Sequence, residues 1–317
     1  MPAGYAHLMI TEKALDAFRK DETIDKQLRG NVLRSSHFVQ LGSLGPDYPY
    51  LDFLQPGQKM WADHMHYDFT GDLIKTFVLA LAELSRSGTT RNDFIIPFCW
   101  VLGYISHVTA DLVVHPIVFN IVGPYKGNEA EHRHCEMIQD VFIYNKIRNG
   151  AEIKHTDLLT VVKNASDPAD KNKIHSLLQA FWSNSLFKLF KQDYGTPPQV
   201  DDWHLQFAKW LGFAGRPLFV GRVLDQEHKF TYKLSSEITS DEKVRFLENL
   251  PLPCGVRGTY EKDVFPKAVS EVVGKWTLLA KGLISGKADS FLNGISNCDL
   301  DTGKDVASSR LVYWRGV

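Results

Sequence analysis

His107, Asp111 and His115 stand four residues apart in LGYISHVTADLVVHP. On an α-helix each four-residue step overshoots a full turn by only about 40°. The three side chains therefore leave one stripe of a helix that is otherwise strongly apolar. Two imidazoles and a carboxylate on such a surface are costly to bury without partners. A divalent cation satisfies all three, because His nitrogen and carboxylate oxygen are both ordinary zinc ligands. A single His on an apolar helix face is more often a core residue bonded to a carbonyl, and a His–Asp pair at this spacing also suits a helix-face hydrogen bond. Three in register, with no Lys or Arg between Arg91 and Lys126, read as a metal site.

Eight of the twelve histidines fall in the first 134 residues: His7, His37, His64, His66, His107, His115, His132 and His134. A site built by the N-terminal half follows from that clustering. HRHCE repeats the four-residue spacing with His132 and Glu136 on one helix face. His134 lies a two-residue step from both, about 200° around the helix, so His132 is the preferred ligand. Asp47 sits in GPDYPY, where Gly45 and Pro46 set a tight turn and leave its carboxylate exposed; an Asx-type turn is the other reading. His64 and His66 in WADHMHY share a strand face or straddle a turn, and one of them binds. His7, just ahead of the first helical pattern, is by itself a surface histidine. Cys135, inside HRHCE, is a weaker ligand candidate than its His and Glu neighbours.

The elements that must position these residues are helical. Helical spacing runs over Thr11–Arg19, Gly71–Leu84, Phe94–His115, Glu129–Asn145 and Lys262–Leu292. GSLGPDYPYLDFLQPG, KNASDPADKN, DYGTPPQVDD and NLPLPCGVRGT read as loops by their Gly, Pro and polar content. HKFTYKL, residues 228–234, alternates like a short hairpin arm. The expected fold is all-α: a metal-binding catalytic core over residues 1–200 and a C-terminal helical extension over 201–317, packed on the same domain. Asp299 and Asp301 in NCDLDTG read as turn formers, since no EF-hand spacing surrounds them.

At 317 residues the chain is long enough for a sizeable core. A net charge of −1 leaves no electrostatic footprint for duplex nucleic acid. The four cysteines, Cys99, Cys135, Cys254 and Cys298, form neither a disulfide scaffold nor a CxxC zinc site. Phe94–Val114 approaches membrane-spanning length but contains Pro97, His107 and Asp111, which favours a buried helix. MPAGYAHLMITEKAL has neither the basic nor the apolar region of a signal peptide. The expectation is a cytoplasmic chain, or one exported without a classical signal. Oligomeric state is not legible.

In one order along the chain, AGYAH, GPDYPY, WADHMHY, GYISHVTADLVVHP and HRHCE resemble the zinc-dependent phospholipase C family. The short gap from Asp111 to His115 is similar to its glycosylphosphatidylinositol-specific phospholipase D branch. The resemblance covers residues 1–150 and implies an all-α fold holding about two to three zinc ions. One ion would be held by Asp47, His66, His107 and Asp111, and a second by His115, His132 and Glu136. A third would use the chain's own N-terminus and His7, with Asp111 bridging. The family's bacterial members start at a Trp freed by signal cleavage, whereas this chain begins MPAGYAH.

The activity implied is hydrolysis of a phospholipid or other phosphodiester, with possible peripheral membrane contact. Paired cations lower the pKa of a water and clamp the attacking and leaving oxygens, and Asp47 would orient or deprotonate that water. Tyr48, Tyr50, Trp61 and Tyr67 flank the ligands and could line a lipid entrance or face a quaternary ammonium group. A nuclease or nucleotidase of the same fold is the alternative, as is a helical binding module that the metals merely stabilise. A di-iron carboxylate bundle fails, because Glu129 and His132 have no second Glu-x-x-His pair on another helix.

Overall fold

A helix that is apolar on every face has to be surrounded, and the longest helix among the described residues, Arg91–Val122, forms the centre of the molecule. In the computed structural model, which describes residues 4–52, 55–88, 90–190, 195–214 and 232–314, every residue from Ile95 to Val118 is buried. A capping box starts this helix: Thr90 and Asp93 each bond the other's backbone N–H. Gly123, at φ +92°, ends it. It is long and apolar enough to cross a membrane by length and composition, but 78% of its most apolar window is buried inside the protein.

In chain order the helices are α1 (Gly4–Lys20), α2 (Lys26–Arg34), α3 (Ser36–Gly42), α4 (Lys59–Asp63), α5 (Thr70–Arg86), α6 (Arg91–Val122) and α7 (Glu129–Ile147). They continue as α8 (His155–Asn164), α9 (Ser176–Phe190), α10 (Val200–Ala214), α11 (Ser240–Phe246), α12 (Phe265–Ile284) and α13 (Asp289–Leu292). Among the described residues, two short antiparallel hairpins break the all-α pattern: β1 (Leu250–Pro251) with β2 (Arg257–Gly258), and β3 (Cys298–Asp299) with β4 (Lys304–Asp305). Both fall where the sequence reads as loop or turn, because two-residue strands carry no periodic signal. Most of the hairpin arm expected over 228–234 lies outside the described residues, and Tyr232–Leu234 carry no strand.

The GSLGPDYPYLDFLQPG stretch is not an open loop. Gly45–Leu51 winds into a 3-10 helix with almost every residue buried. Pro46 starts it without losing a needed donor, and tight i→i+3 bonds such as Asp47 N–H to Leu44 O at 3.2 Å hold it. The chain is thus short enough there to pass Asp47 inward.

Packing around α6 is closest at α3. A Cβ on Gly42 would sit 2.1 Å from the Trp100 carbonyl oxygen, and one on Gly103 would sit 2.0 Å from the Val39 carbonyl oxygen. Two glycines therefore let the backbones touch. On another side α12 packs against α1 and α6: Trp276 donates its indole N–H to Leu102 O at 2.7 Å and meets the Phe18 ring edge-on. One buried apolar cluster runs from Tyr5 to Trp314.

Gly42→Ala and Gly103→Ala should each destabilise by about 3 kcal/mol, the upper range of overpacking, because the opposing atoms are backbone. Thermal melts should show midpoints lowered by several degrees. A melt unchanged in both variants would contradict the close approach.

Candidate metal centre

The α6 register delivers what its spacing promises. His107, Asp111 and His115 are all buried and face one space. The Asp111 carboxylate is the hub: His7 Nε2 lies 3.2 Å from Oδ1, His107 Nε2 lies 3.1 Å from Oδ2, and His115 Nε2 lies 3.6 Å from Oδ1. A second grouping forms where Asp47 and His66 meet the same His107, with His66 Nε2 3.3 Å from Asp47 Oδ1. The ligand atoms of His7, His107 and Asp111 all lie within 4.8 Å of one another, as do those of Asp47, His66 and His107.

Backbone carbonyls aim these imidazoles. His66 Nδ1 donates to Ala62 O at 2.8 Å, His107 Nδ1 to Ser43 O at 2.9 Å, and His115 Nδ1 to Leu300 O at 2.8 Å. A carbonyl only accepts, so in each neutral ring the proton is on Nδ1 and the Nε2 lone pair points inward. This is the outer-shell arrangement that typifies metal-ligating histidines. It leaves His66 Nε2 and His107 Nε2 only 3.3 Å apart with no proton to share between neutral rings.

Three expectations need correction. His7 is not a surface residue ahead of the first helix: α1 begins at Gly4, and His7 is 4% exposed, its ring stacked on His107 at 4.2 Å. The buried face of α1 continues back from Thr11 through Leu8 and Tyr5. Asp47 is buried rather than exposed, since the 3-10 helix turns it inward. His64 and His66 lie on neither a strand nor a turn but on one π-helical turn, His64–Asp68, continuing α4. His66 enters the centre, while the His64 ring stacks on Phe190.

Charge is concentrated here. Burial by itself would raise the Asp111 carboxyl, but the His115, His107 and His7 imidazoles hold it well below the usual carboxylate range. Asp47 is likewise lowered against burial by His107, His66 and His7. Burial opposes charge on His115, yet Asp111 and Glu136, with Asp301 nearby, raise it to about 9. Burial raises Glu136, with His115 pulling it back. Anionic oxygens in so dry a space demand positive charge.

Glu136 Oε1 approaches His115 Nε2 at 3.7 Å. His132, one turn before it, is buried and donates Nε2–H to Gly123 O at 2.7 Å, which leaves Nδ1 as its lone-pair nitrogen. His115, His132 and Glu136 are not drawn into either tight triad. His134 leaves the centre and pairs with Glu242 at 2.7 Å. Cys135 is buried with Gln139 Nε2 3.5 Å from its sulfur, and burial pushes its thiol well above the ordinary value. Tyr48 and Trp61 are core residues, packed on Phe207 and Phe190 respectively. Tyr50 and Tyr67 remain half-buried beside His66, donating their hydroxyls to Asp63 and Asp301.

Sequence reasoning missed Asp140, although its signal was present: it extends the His132–Glu136 spacing by one more step of four. Its buried carboxylate accepts the backbone N–H groups of Tyr5 and Ala6 and the Tyr232 hydroxyl. It thereby ties the first turn of α1, which carries His7, to α7. Leu300 was also missed, and no short-range pattern announces a backbone carbonyl reaching across 185 positions. Asp301, read as a turn former, accepts the Tyr67 hydroxyl.

The donor set fits zinc. Asp47 Oδ1 and Asp111 Oδ2 are buried and meet only imidazole nitrogens, His7 Nδ1 is buried with no hydrogen bond, and mixed imidazole and carboxylate donors suit that ion. The chain's own N-terminus, a further ligand by resemblance, lies outside the described residues. His132→Ala should lower zinc uptake measured by chelator competition, whereas His134→Ala should leave it unchanged; the reverse order would invert the ligand choice. Glu242 opposes its modest burial through Lys233, the Thr239 amide and His134, which hold it down to about 2. Its stabilisation is present above about pH 4.3, the ordinary Glu value, and is lost as pH falls through about 2. In melts, Glu242→Gln should lie below the wild type at pH 7, by about 1 kcal/mol as a broken cap, with the gap closing in acid.

Residues 6–191 match the family described as zinc dependent phospholipase C. The comparison with curated proteins and with solved structures gives no match. The matched span covers more than half of the 317 residues and contains Asp47, both α6 histidines, Asp111 and the α7 pair, so the chain belongs to the zinc-dependent phospholipase C family.

Proposed function

We propose that this chain is a zinc-dependent phosphodiesterase that hydrolyses phospholipids in the manner of a phospholipase C. The observation that carries the reading is the buried ring of inward-aimed imidazole lone pairs around Asp47 and Asp111, set within the matched family span. Asp47, His66, His107 and Asp111 would hold one ion, and His115, His132 and Glu136 another. His7 with Asp111 would contribute to a third.

Zinc bound there supplies Lewis acidity toward a phosphoryl oxygen and lowers the pKa of a water. The chain's own residues do the rest. Asp47 is kept ionised by its histidine neighbours, so its carboxylate is available to accept a proton from, or orient, the water that attacks phosphorus. Tyr50 and Tyr67 stay protonated, since burial pushes both hydroxyls well above their ordinary range. They present half-buried aromatic faces next to His66, suited to the headgroup side of a phosphodiester or to its cation. The apolar leaving group would depart toward a lipid surface, which implies peripheral membrane contact.

The test is a panel of phosphodiesters, beginning with phosphatidylcholine vesicles and including single-stranded oligonucleotides, assayed with zinc-loaded protein. Release of a phosphorylated headgroup, lost on chelation and restored by zinc, is expected. Asp47→Asn should lower kcat by about a hundredfold or more. Cleavage of oligonucleotides alone would move the reading to a nuclease. Zinc retention with no hydrolysis of any diester would leave a metal-stabilised helical module.

A further inference from the structure

The family match stops at residue 191, yet the metal centre does not. Leu300, at the tip of the β3–β4 hairpin, is fully buried and uses both of its backbone groups at the centre. Its N–H donates to His66 O at 2.9 Å, and its C=O accepts His115 Nδ1–H at 2.8 Å. One residue from the far end of the chain therefore clamps the backbone of one candidate ligand and the ring of another.

The hairpin is built to reach this point. Asn297 Oδ1 accepts the N–H groups of Gly71 and Asp72, capping the start of α5 from outside. Thr70 Oγ1 and the Cys298 backbone bond each other in both directions. Gly303 takes φ +68°, and a Cβ there would sit 2.2 Å from Pro116 Cγ and 3.0 Å from Leu112 O. Pro116 has no N–H to offer the Leu112 carbonyl, so the hairpin docks where the α6 ladder is open, beside His115. Trp314 Nε1 donates to Val113 O at 2.8 Å and holds the following segment to the same turn. Asp301, next to Leu300, accepts the Tyr67 hydroxyl at 2.9 Å and so ties the hairpin to the π-helical turn that carries His66.

We infer that the hairpin Cys298–Asp305 is a working part of the metal centre, in which the Leu300 carbonyl sets the tautomer and aim of His115 and Asp301 is a positioning residue. The minimal zinc-binding unit of this chain then extends well past the family's matched span. The inference rests on the reading of His115 as a metal ligand.

The full chain, stripped of metal, is titrated with Zn2+ against a chromophoric chelator for wild type, Gly303→Ala, Asp301→Asn and Ser308→Ala. Gly303→Ala should weaken one step of the isotherm by about 10–100-fold, the usual cost of removing an outer-shell partner, while the remaining binding is retained. Asp301→Asn keeps an acceptor for Tyr67 and should weaken the same step by about tenfold, the lower end of that range. Ser308, whose contacts stay within the hairpin at Asp305, should change to Ala without effect. Histidine NMR of the metal-free protein should show a protected His115 Nδ1–H in wild type that is lost in Gly303→Ala. Isotherms unchanged in both Gly303→Ala and Asp301→Asn overturn the inference, and so does equal weakening of every step, which marks general loosening. Should Gly303→Ala not fold, Asp301→Asn alone decides between these results. Wild-type protein that takes up no zinc overturns the reading of the centre itself, and this inference with it.

Discussion

Two imidazole nitrogens that both present lone pairs at 3.3 Å in a buried space repel one another unless positive charge lies against them. That is the situation of His66 and His107, whose outer nitrogens are committed to backbone carbonyls. Asp47 and Asp111 add anionic oxygens to the same dry region. Water is largely excluded, so the need for a cation is not met by solvent. Much of the surrounding structure is explained as what holds these mutually repelling donors in place: the glycine contact of α3 on α6, the inward 3-10 turn at Asp47 and the clamp at Leu300.

The carbonyls that orient the ligands come from separated parts of the chain. Ser43 O belongs to the end of α3, Ala62 O to α4, Gly123 O to the close of α6 and Leu300 O to the C-terminal hairpin. Each leaves its histidine one tautomer and one direction. The α3–α6 approach matters for this reason too: Gly42 and Gly103 bring Ser43 close enough to reach His107. A wider interhelical distance would leave the ring free to turn, and the lone pair would no longer be aimed.

Asp140 plays a comparable part for α1. Burial, opposed by hydrogen bonds from Tyr232 and from the Ala6 and Tyr5 amides, brings its carboxyl to about 7. A polar group so deeply enclosed is tolerated because it satisfies backbone donors that a helix start leaves open. The result is a fixed distance between α7 and the turn bearing His7, so histidines far apart in sequence converge on Asp111.

The all-α class, the places of several main helices and the α6 triad were legible in the residues themselves, because a four-residue repeat of ligand types on an apolar stripe is a local property of one helix. The helix ends were not, since α1 and α6 run well beyond the spans that periodicity marks. That His132 and Glu136 share one helix was legible from the same four-residue repeat, and both are buried on α7. Other features depend on elements that are distant in sequence. That Asp47 turns inward, that His7 is helical and stacked on His107, and that His66 rather than His64 faces the centre follow from how short 3-10 and π turns pack, which no periodicity encodes. The contacts of the Leu300 backbone with His115 and His66 were beyond sequence reasoning altogether. A backbone carbonyl carries no residue-type signature, and its partner is chosen only when the tertiary fold lays the last hairpin against the opening that Pro116 leaves in α6.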